Sequence, residues 1–144
     1  MVADPNWLNE HLGPLEVVAI VLPESPVDKA WGTLLAAVDA HLLRVLDLEL
    51  VQVGESSVEV LQNEALTALL PPDLLGAGSG LLGVDDLQVF ADELEPGTLA
   101  AILVVEHLTL LNVLSDFEAA GSEIIPGGVL TEDELNDALD ETEA

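Results

Sequence analysis

The sequence has no cysteine and almost no positive charge. Without cysteine, a disulfide framework, a thiolate metal site and a thiol nucleophile are all excluded. Lys29 and Arg44 are the only lysine and arginine, against 28 aspartates and glutamates, so the formal net charge is −26. A chain with this charge repels nucleic-acid phosphate and anionic lipid headgroups, and we therefore expect neither of them as a partner.

Aromatic residues and long apolar runs are scarce as well. Phe, Trp and Tyr make up 3% of the chain, and Trp7 and Trp31 are interpreted as anchors of a core or an interface. No uncharged run reaches the roughly 18 residues that indicate a membrane span. The first residues lack the basic and apolar regions of a signal peptide. These absences predict no membrane span and a cytoplasmic location.

Apolar residues, by contrast, are abundant. They make up 50% of the 144 residues, and 11 glycines come in addition. This composition predicts a folded chain of one domain rather than disorder, and it is more apolar than one small core needs. Excess apolar surface is typically used in a subunit interface or a partner site. We therefore expect a homo-oligomer.

The acidity itself has two explanations that the sequence leaves open. It could be a surface adapted to solubility or to a salty cytoplasm. It could also be a surface that recruits cations or a basic protein partner. In either case the charges repel one another, and we expect salt to stabilise the protein.

The spacing of apolar residues predicts an alternation of strands and helices. Residues 15–22 and 98–105 are nearly continuous apolar runs, which predict strands buried on both faces. Residues 43–53 alternate with a shift of phase, which predicts a bulged strand with one wet side, followed by a return strand at 58–62. Further elements are predicted as helices at 27–41, 64–70, 84–94 and 109–120 and as a proline-broken edge strand at 122–130.

This order predicts an α+β fold with a ferredoxin-like antiparallel sheet and helices mainly on one face. Strands 15–22 and 98–105 are expected at the centre of the sheet, with one extra edge strand outside. Three regions follow: an N-terminal arm at 1–14, the ferredoxin-like domain at 15–130, and an acidic C-terminal helix at 131–144. In the last region Thr131 and Glu134 have the spacing of a capping box.

A pattern at residues 83–106 carries a resemblance to known families. The pattern is a glycine, an aliphatic residue, two acids, an amphipathic helix, a Leu-x-Pro-Gly-Thr turn and a strand ending at Glu106. Residues 13–23, GPLEVVAIVLP, fit the same resemblance. The chain resembles an uncharacterised small α/β family of bacteria, mostly high-GC Gram-positive. That family is the soluble relative of a predicted membrane-associated family with a glycine-rich hydrophobic insertion. The resemblance implies a fold and no activity, and the corresponding stretch here, 74–83, is too short to span a membrane.

Gly78, Gly80 and Gly83 form a G-x-G-x-x-G pattern that invites a dinucleotide-binding interpretation. That interpretation needs a preceding strand and an acid about 20 residues later, at the end of a second strand. Two prolines and an aspartate precede the pattern instead. We interpret it as a flexible loop before a helix.

Glu106 and His107 end a predicted central strand, where a pocket could form. With His41 or His11 and nearby acids they are candidate ligands of a small molecule or a divalent metal. The alternative is structural: Arg44 is a salt-bridge candidate for Glu106, and His107 helps the chain to turn. Adjacent strand residues point to opposite faces, which favours the structural alternative.

No nucleophile, acid-base pair or cofactor motif emerges, so we expect no enzyme and no cofactor. The sequence predicts a non-enzymatic, self-associating interaction or structural protein. A small-ligand or divalent-metal-binding module that uses Glu106 and His107 is the alternative.

Overall fold

The protein is an α+β molecule built on a four-stranded antiparallel sheet, as seen in a computed structural model that describes residues 12–125 and 132–143. The strands are β1 (Leu15–Val21), β2 (Leu43–Val53), β3 (Val58–Val60) and β4 (Leu99–His107). The helices are α1 (Asp28–Asp39), α2 (Glu64–Leu69), α3 (Val84–Ala91), α4 (Thr109–Ala119) and α5 (Glu132–Glu143), with a 3-10 turn at Pro72–Leu74.

The strand order is β1-β4-β2-β3, and each neighbouring pair is antiparallel. Strands β1 and β2 therefore run parallel to each other, with β4 inserted between them. The register changes between Val45 and Asp47, which confirms the bulge predicted in this strand. The predicted extra edge strand is also present as β3.

Turn chemistry sets the ends of α3 and β4. The Asp86 carboxylate accepts a hydrogen bond from the Gly83 amide at 3.0 Å, and this bond caps the first turn of α3. Gly97 has a φ of +90°, a left-handed conformation that favours glycine, and its amide donates to the Val53 carbonyl at 2.8 Å. The chain thereby turns from α3 directly into the middle of the sheet.

Helices cover both faces of the sheet, so the prediction of helices mainly on one face is wrong. Leu48, Leu50 and Leu103 pack on one face with Trp31 of α1 and with Leu70 and Leu74. On the opposite face, Val51 and Ile102 pack with Leu87 of α3. Alternate residues of β2 and β4 thus enter two cores, and both strands are buried on both faces.

The predicted central position of β1 is wrong for the described sheet. Strand β1 pairs only with β4, and no other described strand lies on its outer side. Six of its seven residues are exposed. An apolar run predicts a strand well, but the sequence does not show which run the helices will cover. Strand β4, by contrast, is buried at seven of nine positions, as predicted.

The buried face of α4 also differs from the prediction. The apolar spacing of α4 predicts that Leu110, Val113, Leu114 and Phe117 point inward. Of these, Leu114 is partly buried against Leu108 and Leu111, whereas Leu110, Val113 and Phe117 are exposed. The buried residues are Leu111 and Ser115, one turn apart. Because leucine and valine occur on both sides of α4, the periodicity of the sequence did not define one face.

Three predicted features lie wholly or partly outside the described residues: the N-terminal arm with Trp7 and His11, the strand at 122–130, and Thr131 of the capping box. Residues 122–125 are described and form no strand. The acidic C-terminal helix is confirmed as α5. Among the described residues, no helix combines the length and the apolar character needed to cross a membrane.

Candidate functional site

Glu106 is a buried carboxylate at the end of β4, with 1% of its surface exposed. Its Oε2 atom accepts a hydrogen bond from the Gly13 amide at 2.9 Å. Its Oε1 atom lies 3.3 Å from Nη1 of Arg44, the pairing considered from the sequence, but without hydrogen-bond geometry. Arg44 lies opposite Glu106 in the β2–β4 register. The Glu106 carboxylate therefore connects two parts of the chain to β4: the segment before β1, through Gly13, and strand β2, through Arg44.

His107 points to the other face of the sheet. Its Nε2 atom lies 2.9 Å from Oε1 of Glu16 on β1, and both side chains are exposed. Strand geometry separates the two neighbours, because successive side chains alternate between faces. Glu106 and His107 thus belong to two different contacts rather than to one site.

His41 lies in the turn between α1 and β2. It has a φ of +59°, and its carbonyl oxygen accepts a hydrogen bond from the Asn112 side chain at 2.8 Å. The contact ties this turn to α4. Within residues 12–125 and 132–140, no three histidine, aspartate or glutamate side chains are grouped so that they could hold a metal.

Lys29, the second cation of the chain, forms no ion pair with a described residue. In a chain with 28 acids, both cations are expected to pair with carboxylates. Only Arg44 lies opposite an acid in the sheet, whereas Lys29 is in the exposed first turn of α1.

Strand β2 carries a pair of carboxyl groups, Asp47 and Glu49, that the sequence did not indicate as a site. Asp47 is fully buried, and its two oxygens accept hydrogen bonds from the amides of Ser79 and Leu82, each at 2.9 Å. Burial acts to raise the pKa of Asp47. The hydrogen bonds from Leu82, Ser79 and Glu49 outweigh burial and hold the pKa below its usual value.

Glu49, two residues further along the same face of β2, has the opposite shift. Burial, together with a hydrogen bond to Asp47 and the charge of that carboxylate, raises the pKa of Glu49 to about 7. As the pH falls below about 7, Glu49 therefore takes up a proton while Asp47 stays ionised. One signal of this pair was present in the sequence: two acids, Asp47 and Glu49, two residues apart within a predicted strand.

The partner of this carboxyl pair is the glycine-rich loop, residues 76–83. The Leu48 amide donates to the Ala77 carbonyl at 3.2 Å, and the Ser79 hydroxyl donates to the Leu46 carbonyl at 2.6 Å. The loop therefore covers the outer edge of β2 beyond the end of β3. A Cβ at position 78 would lie 3.2 Å from Oε1 of Glu49 and 3.4 Å from the Leu48 carbonyl, so the close approach favours glycine. The G-x-G-x-x-G pattern serves this edge contact, not the dinucleotide motif considered from the sequence.

The outer edge of β1 is one end of the described sheet. The Leu22 amide bonds to Leu99 and the Pro14 carbonyl to the His107 amide, so even-numbered residues face β4. The main-chain groups of Leu15, Val17, Ala19 and Val21 therefore point away from β4. No described residue pairs with them. Leu15 and Val21 are each 56% exposed, so within residues 12–125 and 132–143 this edge is uncovered and apolar.

An apolar groove adjoins this edge. It has a volume of about 260 Å³ and lies between β1 and α1. Ile20 and Leu22 line one side, and Trp31 and Leu34 line the other. A second cavity of about 260 Å³ lies beside it and is bordered by Glu24 and Asp28. The exposed apolar surface of β1 therefore continues into a concave surface.

Comparison with known proteins gave no match to a family model, a curated protein or a solved structure.

Proposed function

We propose that the protein is a non-enzymatic interaction protein that self-associates by pairing the β1 strands of two copies. The open, apolar edge of β1 supports the proposal. A long apolar edge with free N–H and C=O groups favours pairing with another strand. Two such edges would join two four-stranded sheets into one continuous sheet related by a twofold axis.

Charge favours a second copy as the occupant of this edge. The chain carries 28 acids, but β1 contains only Glu16. Strand β1 is therefore a place where two copies, each with a charge of −26, can approach with little repulsion. A basic protein partner, in contrast, would find more acidic surface elsewhere on the molecule.

The residue pattern of β1 is compatible with an antiparallel pairing centred on Val18. In that register Val17 faces Ala19 of the second copy, and Leu15 faces Val21. Each of these pairs joins residues whose main-chain groups point outward, as an antiparallel ladder requires. Glu16 faces Ile20, and the two Glu16 residues are then about 14 Å apart along the strands, further than the Debye length of about 10 Å at 0.1 M salt.

Ala19→Pro is a sharp test of this interface. The Ala19 amide points away from β4, so proline removes an outward donor without removing a bond to β4, and prolines are tolerated on edge strands. We expect light scattering at molar salt to show a dimer for the wild type and a monomer for the variant. Val113→Asp, which charges the exposed face of α4, is the matched control and should remain dimeric. A monomeric wild type, or a dimer that only Val113→Asp dissociates, would show that the proposal is wrong.

The finer fold and family assignments belong to the same proposal. We propose that β1, α1, β2 and the inserted β4 form the split β-α-β unit of a ferredoxin-like plan. The resemblance to the soluble bacterial α/β family and a cytoplasmic location are also proposals. The order β1-β4-β2 and the Pro-Gly turn before β4 support the first two.

A further inference from the structure

We propose that the glycine-rich loop, residues 76–83, is a pH-operated strap, held on the edge of β2 while Glu49 carries a proton and released when Glu49 loses it. The inference is independent of the proposed self-association, because it concerns the opposite edge of the sheet.

The strap is held mainly by contacts to β2 near the bulge. Both oxygens of Asp47 are used by amides of the strap, at Ser79 and Leu82. The Ser79 hydroxyl and the Ala77 carbonyl add two bonds to the main chain of β2, at Leu46 and Leu48. Since Asp47 is fully buried, its carboxylate is costly to leave without these donors.

Glu49 lies where a change of charge acts directly on this contact. Its carboxyl oxygens approach Gly78, and it interacts with the Asp47 carboxyl group and with the Gly80 amide. A protonated Glu49 can donate a hydrogen bond to Asp47. An ionised Glu49 places a second negative charge beside a buried one, and like charges at this distance repel. Loss of the proton therefore weakens the contact that holds the strap.

Within the described residues no cation forms an ion pair with Glu49 or Asp47, and Arg44, three residues before Asp47 on β2, pairs with Glu106 instead. The strap itself contains only glycine, alanine, serine and leucine. Strand β4 presents apolar residues, Ile102 opposite Glu49 and Val104 opposite Asp47. The charged side chains adjoining the strap in sequence are all acids, Asp73 before it and Asp85 and Asp86 in the first turn of α3.

The glycines allow the strap to leave and return. Gly80 has a φ of +76° and open space where a side chain would be, and four of the eight strap residues are glycine. Release would expose the Leu46 carbonyl, the Leu48 amide and the Asp47 carboxylate. Among the described residues, the outer edge of β2 would then be covered only from Leu50 to Val53, by β3 and by the Leu61 amide, which donates to the Leu50 carbonyl at 2.8 Å.

The direction of the pH effect follows from the proton balance. The pKa of Glu49 is raised to about 7 from 4.5, the value of a free glutamate side chain, and burial is the largest cause. The part of this shift that comes from burial under the strap is lost when the strap opens, so the closed strap binds more protons than the open one as the pH approaches 7. Closure is therefore favoured below pH 4.5, weakens as the pH rises towards 7, and changes little above it. The lowered pKa of Asp47 acts in the opposite direction, and its contribution is lost only in acid, as that carboxyl becomes protonated.

Amide hydrogen exchange measures the strap directly. Protection factors of the Ser79 and Leu82 amides, corrected for the intrinsic rate, are compared at about pH 5.5 and about pH 8.5 in molar salt by NMR. We expect them to fall about tenfold or more in the wild type, since one unit of pKa difference corresponds to a tenfold change in an equilibrium. The amides of Ile102 and Leu103, in the middle of the sheet, should keep their protection.

Glu49→Gln is the decisive variant. Glutamine keeps the shape and donates a hydrogen bond to Asp47 at every pH, so the protection of Ser79 and Leu82 should stay at its low-pH level. Asp85→Asn, which removes an exposed acid next to the strap, should behave as the wild type. The titration of the Glu49 side-chain carbon should have the same midpoint as the loss of protection. A wild type without pH dependence, an equal loss in Glu49→Gln, or a parallel loss at Ile102 would overturn the proposal.

Discussion

At the residue scale, the Glu106 carboxylate shows how one buried acid organises a neighbourhood. It receives the Gly13 amide on one oxygen and the Arg44 guanidinium near the other. A buried charge without partners is strongly unfavourable, so these two contacts stabilise the end of β4 together. The sequence made Glu106 a candidate ligand. In the structure its carboxylate is buried and contacts the Gly13 amide and Arg44.

Gly13 provides a test of this packing. A Cβ on Gly13 would overlap the carbonyl oxygen of His107, and the Leu111 side chain lies 3.3 Å from the same position. We expect Gly13→Ala to destabilise the protein by about 1–3 kcal/mol, the usual cost of overpacking, because the segment must move away from Glu106. Urea unfolding at high salt, followed by circular dichroism, measures the effect.

Gly32→Ala is the matched control. Gly32 lies within α1, and a Cβ there meets no atom within 4 Å. Alanine in a helix interior is favoured over glycine by about 1 kcal/mol, so this variant should be more stable than the wild type. If both variants change the stability in the same direction, the close approach of Gly13 to β4 does not hold.

The two carboxyl groups of β2 could be located only in part from the sequence. Asp47 and Glu49 stand out as two acids two residues apart in one strand, and the glycines at 78, 80 and 83 stand out by their spacing. Their contact could not be predicted, because about 30 residues separate them in the chain. The sheet register and the bulge after Val45 bring them together.

At the scale of elements, β1 and β4 show the limit of a hydrophobic pattern. Both are apolar runs, and both form strands. Strand β4 lies between two partners and two cores, whereas β1 has one partner and an open edge. The burial of a strand depends on which other elements pack against it. Two strands that are similarly apolar in sequence can therefore differ in exposure.

Two adjacent leucines of α4 test whether burial, rather than apolar character alone, determines how much a residue stabilises the fold. Leu111 is 6% exposed and Leu110 is 58% exposed. Leu111→Ala should cost about 2–5 kcal/mol because it leaves a cavity next to Leu108 and Ile124. Leu110→Ala should change the free energy of unfolding by no more than about 0.5 kcal/mol.

Thermal and urea unfolding of the two variants side by side, in the Ala19→Pro background to keep the chain monomeric, gives the comparison. The reverse ranking would mean that α4 is rotated and that its predicted inward face, with Leu110, Val113 and Phe117, is the buried one.

At the scale of the whole molecule, charge and apolar content oppose each other. A net charge of −26 on 144 residues favours expansion, while a composition that is 50% hydrophobic favours burial. The structure resolves this with two cores on one sheet and with acids distributed over the outside. In our proposals, two edges of the sheet change their covering with conditions. The strap covers the edge of β2 depending on pH, and a second copy covers the edge of β1 depending on association.

Salt should therefore raise the stability of the folded chain. Screening shortens the range of repulsion from about 30 Å at 0.01 M to about 3 Å at 1 M salt. We expect the Tm of the Ala19→Pro variant, measured by circular dichroism at neutral pH, to rise by several degrees over this range. The monomeric variant separates screening within one chain from strengthened association. A Tm that stays constant from low to molar salt would contradict the expectation.

The sequence by itself determined the α+β class, most of the strands and helices, the Pro-Gly turn before β4 and the bulge in β2, because these depend on local periodicity and turn residues. Only the tertiary structure decided which strand is central, which face of α4 is buried, and that Glu106 and Asp47 are buried. Those properties depend on residues distant in the chain, whose meeting is set by strand register and by the helices that cover each face.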